Sequence, residues 1–195
     1  SQKGRKSNKK PFFFGIRFVV PVAHWDVYGI PADFRIILPK KHQDYKKENR
    51  LFRDMIEEFR VPEWAKTVIV VGDTAYASKE NMQLVRRTDK SDSRRKWGFV
   101  FAIAKTWNRS DGRSLRDLAY HLPLKFYKKT WIPRLPEERG RKIFWIFGKR
   151  PDLNHIGDVT IVLTKTGRNV GPGKTKLLVT NLTGLNSRQV ICIYN

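Results

Sequence analysis

The carboxylate best placed for chemistry is Asp73, which closes the run Thr67-Val68-Ile69-Val70-Val71-Gly72 and precedes Thr74-Ala75-Tyr76-Ala77-Ser78. A β-branched run without a polar partner reads as a fully buried central strand. In α/β sheets, ligand and metal sites form at the carboxyl ends of such strands, where a side chain leaves the core but stays fixed by it. An Asp there is positioned for chemistry. The chain carries 40 Lys plus Arg against 18 Asp plus Glu, a formal net charge of +22. Such a field attracts polyanions, so DNA or another nucleic acid is the expected partner. The plainer role of an acid after a strand is to shape a turn or cap the next helix. Asp26 and Asp33 are further acids that could join Asp73 in a nuclease centre.

Other candidate groups are weaker or differently suited. The four histidines (His24, His42, His121 and His155) have no short metal-ligand spacing, and Cys192 is the single cysteine. The sequence therefore offers no zinc constellation and no intrachain disulfide, which fits a reducing cytoplasm. Gly167 to Thr175 superficially resembles a phosphate-binding loop, but Arg168 stands where the motif needs glycine. A strand rather than a helix is expected after it, so the segment reads as a basic hairpin turn that can touch phosphate.

The basic residues cluster. Lys3, Arg5, Lys6, Lys9 and Lys10 make one group. Lys125, Lys128 and Lys129 make a second, interleaved with Phe126, Tyr127 and Trp131. Arg139, Arg141, Lys142, Lys149 and Arg150 make a third around Phe144 and Trp145. Basic side chains contact phosphates, and exposed rings can stack on unpaired bases. The alternative is that the rings are core and the charges a solvated face.

These groups need elements to hold them. Residues 1–10 read as a basic arm, 12–22 as a strand, 26–31 as a turn and 32–38 as a second strand of an antiparallel hairpin. Over Gln43 to Phe59 the apolar residues Tyr45, Phe52, Met55, Ile56 and Phe59 share one helical face, with Asp44 as a cap and Pro62 beyond the end. After the strand ending at Asp73, Ser78 to Arg87 reads as a helix with Ser78 as its cap, and Trp97 to Ala104 as another strand. Residues 107–193 hold short apolar runs split by Gly, Pro and charge, among them Leu122 to Leu124, Ile143 to Phe147, Val159 to Leu163, Leu177 to Val179 and Val190 to Ile193, and read as β-rich. The expected fold is thus α/β with a mixed sheet: a core over 1–106 and a β-rich insertion over 107–193. Apolar residues make up 40% of the chain, enough for a packed core. No apolar run approaches the roughly 20 residues needed to span a bilayer. No signal peptide is read, and the chain does not begin with Met, which points to sequence upstream.

The block Asp73, two residues, Tyr76, Ala77-Ser78, then a helix and a strand, resembles the second catalytic Asp region of DDE transposases of bacterial insertion sequences. The basic arm and first strand resemble the segment after that family's first catalytic Asp, and 107–193 resembles the β-rich insertion some members carry. Gln189 to Tyr194 resembles the approach to the signature Tyr, two residues, Arg, three residues, Glu, six residues, Lys, with Tyr194 as its opening residue. The resemblance implies an RNase H-like core, a Mg2+- or Mn2+-dependent two-metal cleavage and strand transfer at insertion-sequence ends, Asp73 as metal ligand, a nucleoid-associated cytoplasmic location and a possible homodimer. It also implies a first Asp upstream of Ser1 and a Glu downstream of Tyr194. Residues 194–195 would then begin the catalytic helix region, and the 195-residue piece alone would be inactive with weak or no metal binding. The alternatives are a non-catalytic basic nucleic-acid-binding module and a different RNase H-like nuclease that uses Asp26 or Asp33 with Asp73.

Overall fold

Parallel pairing of β5 (Thr67–Gly72) with β6 (Lys96–Ile103) organises the part of the chain that carries Asp73. The computed structural model describes residues 18–25, 28–133, 141–149, 152–153, 156–167 and 169–195. They fall into two units, 1–51 and 52–195.

In the first unit, β1 (Phe18–Val19) pairs antiparallel with β4 (Arg35–Ile36), and β2 (Val22–Trp25) pairs antiparallel with β3 (Tyr28–Pro31). An antiparallel hairpin is present, but the turn expected over 26–31 is narrower: Tyr28–Pro31 is itself a strand, paired with Val22–Trp25. The second expected strand, 32–38, is reduced to two residues because the chain turns at Asp33, whose carboxylate accepts from the Phe34 N–H and the Arg35 guanidinium, both at 2.7 Å. The arm 1–10 lies outside the described residues.

The helix expected from Gln43 starts later, as α1 (Glu48–Glu58). Asp44 does not cap it. A turn at His42 intervenes, with the Tyr45 N–H donating to the His42 carbonyl at 3.1 Å and the Asp44 N–H to its Nδ1 at 3.1 Å.

In the second unit, α2 (Lys79–Ser91) crosses from β5 to β6, and Ser78 caps it as expected by accepting from the Asn81 N–H. Such a strand–helix–strand crossover is the usual way to join parallel neighbours. The chain then runs through α3 (Leu115–His121), a 3-10 turn at Leu124–Phe126, β7 (Lys128–Pro133), β8 (Arg141–Lys149), β9 (Asp152–Leu153), β10 (Gly157–Asp158), β11 (Thr160–Lys165), a 3-10 turn at Pro172–Lys174, β12 (Lys176–Thr180) and α4 (Ser187–Tyr194). The main sheet has the order β5-β6-β12-β11-β8-β7, parallel at β5–β6 and antiparallel elsewhere, and β9 pairs with β10. The fold is therefore mixed α/β, with a mixed sheet and four α-helices among the described residues.

Further findings differ from the sequence expectation. The 106/107 boundary falls inside the second unit, and β7, β8, β11 and β12 continue the sheet begun by β5 and β6. Val190 to Ile193 is helical rather than extended. Asn186 and Gln189 form a reciprocal capping box that starts α4, and a four-residue apolar run fits either period.

Each sheet face carries a core. On one, Phe99, Phe101, Leu163, Leu177 and Val179 pack with Met82 and Val85 of α2. On the other, Val100, Ala102, Val162 and Leu178 pack with Val190 and Ile191 of α4. The alternation Phe99/Val100/Phe101/Ala102 is the period of two expected of a strand buried on both faces. β5 borders the sheet. Among the described residues it pairs on one side only, and Val71 is 42% exposed, unlike the central strand read from its composition.

Candidate functional site

Asp73 stands where the sequence placed it, one residue beyond the carboxyl end of β5, with its side chain exposed. Its backbone is fixed from several sides. The Asp73 carbonyl accepts from the Tyr76 N–H at 2.9 Å, and the Thr74 N–H donates to Oδ1 at 2.5 Å. The Tyr76 carbonyl accepts from the Ser78 N–H at 2.8 Å and from Asn81 Nδ2 at 2.7 Å. Asn81 is fully buried, and its Oδ1 accepts from Arg53 of α1 at 3.0 Å. The Tyr76 ring stacks on Phe52, centroids 4.8 Å apart. A loop whose polar groups are paired and whose ring is packed holds its side chains in place.

Asn81 and Arg53 escaped the sequence reading. Asn81 was legible only as a position in the first turn of a helix, and its partner lies 28 residues away. Gly72, immediately before Asp73, is fixed by packing: a Cβ there would overlap the Phe101 ring.

Beside the loop lies an open groove of about 340 Å3, lined by Thr74, the end of β6 through Lys105, and Gly173 to Leu177. The pairing of Leu177 with Ile103 brings the start of β12 against the end of β6. Three lysines line the groove (Lys105, Lys174 and Lys176), and no acidic residue does. Lys105 donates to the Gly173 carbonyl at 2.5 Å, and Lys176 Nζ lies 4.4 Å above the Tyr194 ring and 3.3 Å from its hydroxyl. Tyr194 is half-buried against the α4 core.

The remaining basic candidates are dispersed. Lys3, Arg5, Lys6, Lys9, Lys10, Arg139 and Arg150 lie outside the described residues. Lys125, Lys128 and Lys129 are exposed, and Lys125 Nζ sits 5.5 Å from the Phe126 ring. Lys128 and Lys129 are adjacent on β7, so their side chains leave opposite sides of the strand. Arg141 and Lys142 open β8 opposite Pro133 and Ile132. Tyr127 is buried and Trp145 is half-buried against the core, so both rings pack the interior, while Trp131 remains 40% exposed beneath Arg188 at 4.5 Å. Lys165 is 5% exposed with its Nζ 4.5 Å from the Tyr127 ring. Burial holds its ammonium below the ordinary lysine value and pushes the Tyr127 phenol up.

Among the described residues no group of three or more His, Cys, Asp or Glu side chains could hold a metal ion. Asp73 offers one carboxylate, and the described residues do not complete a cation cage around it. Asp33 is occupied by Arg35, whose hydrogen bond holds its carboxyl below the usual range, and Asp26 lies outside the described residues. Among the described residues no helix is long and apolar enough to cross a membrane. No protein-family model matches the sequence, and no curated protein aligns significantly with it.

Proposed function

We propose that this chain is part of the catalytic core of a DNA transposase of the DDE class, RNase H-like in fold, acting in DNA strand cleavage and strand transfer. The observation that carries the reading is the unit β5–Asp73–α2–β6. It is a parallel pair joined by a helix, with an exposed carboxylate at the carboxyl end of the first strand, where open α/β sheets place their ligands. That β5 pairs on one side only among the described residues supports it as well. An RNase H-like core needs a further strand beside the one that carries the second Asp, and β5 offers its outer edge. A divalent ion, when bound, would supply charge stabilisation at the reacting phosphate. Asp73 would contribute one oxygen to it. The described residues alone do not form that centre.

The test uses a chain lengthened at both ends and a supercoiled plasmid. The reading expects Mg2+- or Mn2+-dependent nicking that is lost in Asp73→Asn while DNA binding persists. Nicking that survives Asp73→Asn would end it. The second reading, a non-catalytic nucleic-acid-binding module, is favoured by the Asp73 carboxylate turning to its own loop N–H and by the lysine-lined groove. Binding without nicking in the lengthened chain selects it.

A further inference from the structure

We infer that the groove beside Asp73 binds the phosphodiester backbone of a DNA strand through Lys105, Lys174 and Lys176, and that Gly173 leaves room for the phosphate to approach. The inference rests on the reading of the protein as one that acts on DNA, and it assigns the strand a path next to Asp73.

Three observations carry it. First, the lysines reach one concavity from separate parts of the chain, Lys105 beyond β6 and Lys174 and Lys176 around the start of β12, and no acid lines it. A cleft lined by one sign of charge concentrates its field on an entering ion. Second, the Lys176 ammonium is oriented by neutral partners, the Tyr194 ring and hydroxyl. Those partners fix direction without cancelling charge. Lys174 is exposed. Third, the fold gives Gly173 no reason to be glycine. Among the described residues only Gly112 and Gly157 have positive φ, and a Cβ on Gly173 would meet nothing within 4 Å. Glycine also serves where a ligand comes close to the backbone, and a phosphate in the groove is such a ligand.

The experiment measures binding of a dye-labelled DNA oligonucleotide by fluorescence anisotropy across a salt series. Each phosphate contact contributes close to one to the slope of log K against log salt, so Lys174→Gln/Lys176→Gln should lower that slope by about 2. The control pair Lys66→Gln/Lys96→Gln removes the same charge at the opposite, amino-terminal ends of β5 and β6. It should change the slope by less than about 0.5, since a distant charge releases few counterions. Gly173→Val should weaken binding severalfold with an unchanged or higher Tm, because the side chain fills open space. Equal effects of the groove and control pairs, or undiminished affinity in Gly173→Val, would overturn the assignment. Nicking is a separate readout, so failure of the groove and failure of the transposase reading appear in different measurements.

Discussion

Gly72 shows how a single residue sets the position of Asp73. Its Cα faces the fully buried Phe101 ring, so the β5 backbone can approach β6 only without a side chain at that point. Gly72→Ala should destabilise the protein by about 1–3 kcal/mol in urea unfolding, the usual cost of overpacking a core. The same substitution should alter any Asp73-dependent activity, because the displaced backbone is the one that carries the carboxylate. The Asn81 amide acts at the same scale, through the Tyr76 carbonyl and Arg53. Asp73 was legible because its signals are local: a β-branched run, a glycine and a serine cap within a dozen residues. Asn81 and Arg53 were not, because their meaning depends on α1 and α2 meeting.

At the scale of elements, side-chain amides finish what backbone pairing starts. β12 ends at Thr180, and Asn181 then accepts from the Phe99 N–H at 2.8 Å, extending the contact with β6 by one more bond. Asn181→Ala should leave that buried N–H unpaired and lower unfolding stability by about 1–3 kcal/mol, measured by chemical denaturation with the native sheet retained in circular dichroism. A smaller loss would mean that another group reaches the Phe99 N–H. The start of α2 and both ends of β6 are legible to within a residue, since Ser78, the apolar period and the aromatic run agree, whereas α2 runs four residues past the expected end at Arg87. The α4 helix was misread as a strand because Val190 to Ile193 is too short to display a period. The information lay in Asn186 and Gln189, whose reciprocal bonds decide the local geometry.

For the whole molecule, the net charge of +22 dominates the outside and buried ionisable groups complicate the inside. Lys165 is held below 10.5 by burial. Between its folded value and 10.5 the unfolded chain therefore binds more protons than the folded one, and Lys165 makes stability rise with pH through that window. The phenol of Tyr127, held above 10.0, does the reverse as pH climbs past 10. Lys165→Met should remove the first contribution, so thermal unfolding between pH 8 and 10 should show a flatter or falling Tm where the parent gains. An unchanged profile would show that Lys165 titrates as a solvated amine. The sequence by itself determined the mixed α/β character, the strand-to-helix loop at Asp73 and the strongly positive net charge, because charge, period and caps are properties of short stretches. Only the tertiary structure decided that β5 pairs on one side only among the described residues, that the strands after residue 107 join its sheet, and that Thr74, Lys105, Lys174 and Lys176 share a groove. Those facts follow from which strands pair, and pairing between β6 and β12 joins residues as far apart in the chain as Val100 and Thr180, a choice made by burial on two faces at once.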